Sequence, residues 1–239
     1  MNYIKKISSK YSAKNMGLII KSYLMSDDVK VVHVVKEHGH IDEEYWAETA
    51  ESIGTLAPME EDQDGNKTGR KFTDIKYPWH TNSTSFSHSN TRQPLHTDGS
   101  YEAKAPNITF FSCIEAPIYG GKTTFVELKK LIEYVKAYDK NLLERLSNEV
   151  VTHGKGDDSK TKPIIHDGKL TWNYYRCQPC KIRDDFHHFL ENYVVAGDLC
   201  SGIALSPGEA LFFKDEELLH GRTSFIGSRW LIKGGIHVG

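Results

Sequence analysis

Long apolar runs are missing from this 239-residue sequence. No stretch approaches the roughly 20 consecutive apolar residues that a membrane-spanning helix needs. The N-terminus, Met1-Asn2-Tyr3-Ile4-Lys5-Lys6, is charged but is not followed by an apolar stretch of signal-peptide length. With a mean hydropathy of -0.50, these absences make a cytoplasmic protein the expectation. Charge of one sign is lacking too: 30 basic and 32 acidic residues leave a net charge of -2, without a long run of either. That gives no electrostatic footprint for nucleic acid or an anionic membrane, and neither is expected as a partner. Cysteine is scarce. Cys177-Gln178-Pro179-Cys180 is a lone C-x-x-C with no second Cys or His pair to complete a structural zinc site. Nor does it sit in the βαβ setting of a redox turn, so reduced thiols are expected. No heptad seam is visible, which leaves the oligomeric state open. No repeat or linker divides the chain, which reads as one domain over 1–239, with 1–78 an N-terminal extension of it.

What is present is mostly short strands. Ile108 to Ile114 and Thr123 to Leu128 are β-branched and apolar, separated by a Pro117 and Gly120-Gly121 turn. Val150 to His153, Pro163 to His166 and Leu170 to Tyr175 read as strands, the last two joined by the hairpin signal Asp167-Gly168. Ile203 to Leu205, Ala210 to Phe213, Leu218 to Thr223 and Arg229 to Val238 complete the set. Leu18 to Tyr23 and Val29 to Lys36 fit either strands or buried helix ends. Helical spacing marks Asp42 to Ile53, one long segment from Leu128 to Leu146, and Asp184 to Val195 with Asp184 as N-cap. Met59 to Arg70 is a polar loop. Many strands with few helices and no βα alternation predict a barrel or sandwich with helices packed outside.

His96-Thr97-Asp98 and the distant His220 carry the chemistry. Alternation along a strand puts His96 and Asp98 on one face, where an imidazole and a carboxylate can meet one metal. Two histidines and one carboxylate leave coordination positions open, as non-haem iron(II) oxygenases require. H-x-D alone is a weak signal in a chain with 12 histidines. Arg229, charged between apolar neighbours on the following strand, asks for a buried anionic partner, and its planar fork suits a carboxylate.

The chain resembles the TauD/TfdA family of iron(II)- and 2-oxoglutarate-dependent dioxygenases, including its clavaminate-synthase-like branch. The resemblance rests on Pro94-Leu95-His96-Thr97-Asp98, Gly120-Gly121-Lys122-Thr123-Thr124-Phe125, His220-Gly221-Arg222-Thr223-Ser224-Phe225 and Ser228-Arg229-Trp230-Leu231. It implies a mainly β fold with flanking helices around a double-stranded β-helix, or jelly-roll, core. It also implies Fe(II) held by His96, Asp98 and His220, with 2-oxoglutarate and O2 as co-substrates. Thr123 and Arg229 would bind the C5 carboxylate of 2-oxoglutarate. Lys233 stands where the family often has a second arginine near the C1 carboxylate, keeping the charge but not the fork. Asp98 fills the position that is Gly or Ala in related halogenases, so hydroxylation, or another oxidation such as desaturation, is implied instead.

The implied reaction hydroxylates an unactivated C–H bond of a small polar molecule, an amino acid or related acid, releasing succinate and CO2. Candidate substrate residues flank the metal motif (Ser85, Ser87, His88, Asn90, Arg92, Ser100, Tyr101) or lie on the segment with Trp172, Asn173, Tyr174 and Arg176. Trp79 and His80 are candidates for the mouth. Two other readings stay open. A zinc-dependent hydrolase would use the same ligands but has no need of a Thr123/Arg229 clamp. A non-catalytic β-barrel binding protein would bind no metal.

Overall fold

Apolar residues alternate along the strands, and each face serves a different core. Val32, Val34, Phe110, Ala210 and Phe212 turn one way; Val31, Phe111, Cys113, Leu211 and Phe213 turn the other. The computed structural model describes residues 3–37, 42–58, 69–78 and 88–239. The N-terminal part runs β1 (Ile4–Ser8), α1 (Ala13–Leu24), β2 (Val31–Val35), α2 (Glu43–Ile53), β3 (Thr55–Ala57) and β4 (Phe72–Tyr77). The middle holds β5 (Gln93–His96), β6 (Ile108–Glu115), β7 (Tyr119–Gly120), β8 (Thr123–Glu127), α3 (Leu128–Tyr138) and α4 (Lys140–Asn148). Then follow β9 (Val150–Lys155), β10 (Asp158–Pro163), β11 (Ile165–His166), β12 (Lys169–Leu170) and α5 (Lys181–Phe189), which continues as a π-helical turn over Leu190–Val195. The chain ends with β13 (Ser201–Ile203), β14 (Ala210–Lys214), a 3-10 turn (Asp215–Glu217), β15 (Leu218–Arg222), β16 (Phe225–Ile226) and β17 (Arg229–His237).

Two sheets face each other in a jelly roll. The larger has the order β1-β2-β14-β6-β17-β3, with β4 also paired to β17; the smaller is β13-β8-β15-β5. Between them lie Val31, Phe111, Phe125, Phe213, Leu218 and Leu231. α1 and α2 cover the outer face of the larger sheet through Met16, Ile20, Trp46 and Ile53. They approach closely because Gly17 has no side chain: a Cβ there would lie 2.4 Å from the Thr49 carbonyl oxygen. α3, α4, α5 and the π turn cover the smaller sheet, packing Leu131, Leu146, Phe186 and Phe189 onto Leu95, Val126 and Leu219. The result is four layers, helix–sheet–sheet–helix.

Several local expectations need correction. Leu18 to Tyr23 is the C-terminal half of α1, with Ile20 facing the core, so of the two open readings the helix end holds and the strand does not. The segment Leu128 to Leu146 is two helices, because Asp139 adopts an extended conformation (φ -160°, ψ 111°) and its carboxylate caps α4 by accepting from Asn141 N at 2.9 Å. Apolar spacing survives the break, which is why periodicity alone joins the two. Asp184 is not an N-cap; α5 starts after Cys180, and Asp184 lies inside the helix. The strand foreseen over Leu170 to Tyr175 stops at Leu170, whereas β10, which pairs with β9, was not foreseen. Asp167-Gly168 does join a hairpin, with both residues at positive φ (49° and 71°). All four cysteines are free thiols. Most of the Met59 to Arg70 loop, and Trp79, His80, Ser85 and Ser87, fall outside the described residues.

Candidate metal centre and co-substrate cavity

His96 is the last residue of β5, and Asp98 opens the turn beyond it, reversed at Gly99 (φ 56°). The two therefore converge across a strand end rather than along one strand face. Thr97, pointing the other way, is locked in place: its N donates to Trp172 O at 2.7 Å, and its Oγ1 accepts from Trp172 N at 3.0 Å. Antiparallel pairing sets His220 of β15 directly opposite His96. Gly221 permits the close approach, since a Cβ there would lie 2.8 Å from the Gln93 carbonyl oxygen.

The side chains of His96, Asp98 and His220 each bring one ligand atom into a group whose members lie within 4.8 Å of one another. The Asp98 carboxylate sits between the imidazoles, with Oδ1 3.8 Å from His96 Nε2 and Oδ2 3.7 Å from His220 Nε2. His96 Nδ1 donates to Pro94 O at 2.9 Å, leaving Nε2 as the inward lone pair. His220 Nδ1 lies 3.0 Å from Asp215 Oδ1. Burial pushes both histidines down to about 4, His96 also through the neighbouring His220, so both rings are neutral donors near pH 7. Burial alone would raise Asp98, yet Lys233, His220 and His96 hold it well below the ordinary carboxylate range. Lys233 Nζ donates to Asp98 Oδ1 at 2.6 Å. Neutral imidazoles, an ionised carboxylate and Nε2 atoms turned inward are the donor set that a divalent iron site needs.

A cavity of about 50 Å³ opens between the sheets and is lined by Thr123, Arg229, Gly121, Cys113 and Leu231, among others. Arg229 is only 5% exposed. Among the described residues its guanidinium has no hydrogen bond or ion pair, and it lies 5.8 Å from the Phe225 ring. Burial, and then Arg222, pull it down to about 9. Gly121 (φ 67°) makes room for it, since a Cβ there would meet Arg229 Cδ at 3.4 Å and Pro117 Cγ at 2.7 Å. Alternation along β17 turns Arg229, Leu231 and Lys233 to the same face, so one strand lines both the cavity and the Asp98 carboxylate. Arg222, also buried, donates to Ser89 O and Thr91 O, tying the segment before β5 to β15.

The substrate candidates separate. Tyr101 stays beside the metal turn, its hydroxyl 3.5 Å from Lys155 Nζ, and the exposed Arg176 lies over its ring at 5.9 Å. Trp172 does not line the site: it is fully buried against Phe186 and His153, and only its main chain touches the metal turn. Arg92 is already paired with Glu191. Asn90 has an exposed side chain, and its carbonyl accepts from Phe225 N. Asp215 and Lys155 escaped the sequence reading. Asp215 sits in a Lys-Asp-Glu-Glu run that resembles a solvated turn, and Lys155 belongs to a hairpin whose polar return strand carries no apolar alternation.

The model of the family described as taurine catabolism dioxygenase TauD, TfdA matches residues 32–176, well over half of the chain. A search of curated protein sequences finds no match. Among solved structures, PvcB from Pseudomonas aeruginosa superposes with a TM-score of 0.70 at 16% identity, covering 98% of this chain and 86% of that one. An asparagine oxygenase solved with Fe(II), 2S,3S-3-hydroxyasparagine and succinate gives a TM-score of 0.71 at 10% identity, covering 99% and 94%. A taurine dioxygenase from Burkholderia xenovorans gives 0.66 at 12% identity, covering 97% and 87%. At such identities the structural likeness speaks for the fold, and the family match speaks for descent. The chain belongs to the TauD, TfdA dioxygenase family, whose members are iron(II)- and 2-oxoglutarate-dependent oxygenases.

Proposed function

We propose that this chain is a hydroxylase of a small polar molecule, an amino acid or related acid, holding Fe(II) through His96, Asp98 and His220 and 2-oxoglutarate through Thr123 and Arg229. The observation that carries the reading is Arg229. A guanidinium buried without a counter-ion is costly, and a bidentate carboxylate bound beside the Thr123 hydroxyl would relieve that cost. A resident zinc hydrolase site gives no reason for such a residue. With iron bound, the centre would couple O2 reduction and decarboxylation of 2-oxoglutarate, to succinate and CO2, to hydroxylation of a C–H bond.

The protein's own part is orientation. Pro94 O fixes the ring of His96, and the Thr97–Trp172 pair of hydrogen bonds fixes the turn that carries Asp98. Lys233 supplies positive charge next to Asp98, in reach of a chelating C1 carboxylate. On the outer side of the metal turn, Tyr101, Lys155 and Arg176 gather from three segments. Burial lowers the Lys155 ammonium, and Arg176 and Lys233 lower it further, so this corner favours an anionic substrate group. The hydroxylated amino acids named for the asparagine oxygenase and OrfP structures support the same substrate class.

The test is succinate formation from 2-oxoglutarate by the purified protein with Fe(II) and O2, across amino acids, related acids and their neutral amides. Acid-stimulated succinate with a matching mass gain of one oxygen in the acid, lost in His96→Ala, is expected. Hydrolysis supported by zinc without 2-oxoglutarate turnover would sink the proposal.

A further inference from the structure

One buried carboxylate touches both halves of the ligand set. Asp215 lies in the 3-10 turn immediately before β15 and is 1% exposed. Its Oδ2 accepts from the main-chain N of Asp98 at 2.7 Å, and its Oδ1 lies 3.0 Å from His220 Nδ1, a charge contact without hydrogen-bond geometry that leaves neither atom another partner among the described residues. Its own N donates to Asn107 O at 3.3 Å, which anchors the turn to the start of β6. Burying a carboxylate is costly unless its oxygens are engaged, so this position is a poor device for stability alone.

Strand pairing does not do the same work. β15 and β5 pair His220 with His96 but Arg222 with Gln93, so the register shifts just beyond the ligand. Asp98 lies past the end of β5 altogether. The ladder therefore does not tie the Asp98 turn to the His220 ring, and the Thr97–Trp172 hydrogen bonds anchor only the turn; Asp215 touches both. His96 has a neutral carbonyl behind it; His220 alone has a carboxylate. A group of this kind fixes the ring tautomer and strengthens the imidazole as a ligand.

We infer that Asp215 is a positioning residue that sets the angle between the Asp98 and His220 ligands by holding the backbone of one and the ring of the other. The inference rests on the iron reading above. Asn in its place offers one oxygen for two claimants; Ala offers none.

The experiment is a titration of the full-length protein with Co(II), without 2-oxoglutarate, reading both dissociation constant and ligand-field spectrum, for wild type, Asp215→Asn and Asp215→Ala. The melting temperature of each metal-free protein is measured alongside. Weakening by about 10–100-fold, with displaced ligand-field bands, is expected in both variants. A merely structural residue would lower the melting temperature but leave the bands of the metal-bound fraction in place. If Asp215→Ala fails to fold, Asp215→Asn decides. Wild-type affinity and wild-type bands in either folded variant overturn the inference. If the wild type itself takes up neither Co(II) nor Fe(II), it is the iron reading that falls.

Discussion

At the scale of single residues, Arg229 is the group whose free and bound states differ most. Uncompensated, it destabilises the fold; paired with a carboxylate, it makes strong charge-assisted hydrogen bonds. Arg229→Met should therefore act with opposite signs. The melting temperature of the protein without 2-oxoglutarate should rise or hold, while the dissociation constant for 2-oxoglutarate, followed by the iron charge-transfer band under anaerobic conditions, should increase by about 10–100-fold, the equivalent of one charged hydrogen bond of roughly 1.5–3 kcal/mol. A fall in both would mean that Arg229 is structural. The burial of Arg229 and the clustering of His96, Asp98 and His220 were legible in the sequence because the chemistry proposed for them restricts the residue type. Asp215 was not legible, because a carboxylate in an acidic run looks the same whether it faces water or a histidine. Trp172 misled for the converse reason: an aromatic near polar residues reads as pocket lining, and only packing against Phe186 reveals it as core.

At the scale of elements, the β9–β10 hairpin braces the metal turn from behind. Gly154 N donates to Arg176 O at 2.9 Å, and Asn173 N donates to His153 Nε2 at 3.3 Å, so the hairpin holds the segment that in turn holds Thr97. His153 is fully buried, and burial, with Lys160 and Lys162 nearby, pushes it from 6.5 down to about 4. Between pH 6.5 and 4 the unfolded chain therefore binds a proton that the folded chain refuses. The stabilisation is complete above about pH 6.5 and is lost as pH falls toward 4. Urea unfolding of the metal-free protein at pH 7, 5.5 and 4.5 should show that loss. His153→Gln, which can still accept from Asn173 N, should flatten the curve by up to one proton's worth. An unchanged slope would place the acid sensitivity elsewhere. The hairpin also marks a limit of pattern reading: Lys155 and its polar partners in β10 are held by main-chain ladder bonds, which leave no hydrophobic signature. Strands that bury apolar residues on both faces, such as β6, β14 and β17, were located within a residue or two for the opposite reason.

At the scale of the whole molecule, the proposed metal and co-substrate sites draw on both sheets: His96, Asp98 and His220 come from the smaller sheet and its turn, Arg229 and Lys233 from the larger. Occupation should therefore stabilise the fold as a unit. Anaerobically, 2-oxoglutarate at about 100 times its dissociation constant should add roughly 2.7 kcal/mol to the stability of the Fe(II)-loaded protein. For a chain of this size that raises the melting temperature by about 5–10 °C, and a chelator should abolish the gain. Absence of any shift would argue that the two sheets do not share a bound ligand. The layer order has one more consequence. Leu95 and Leu219 are the chain neighbours of His96 and His220, and both point into the helical layer made by α3, α4 and α5. Each imidazole thus shares its peptide unit with a side chain anchored on the far side of the sheet. Reshaping the outer helices would shift the His96, Asp98 and His220 cluster from the far side of the sheet.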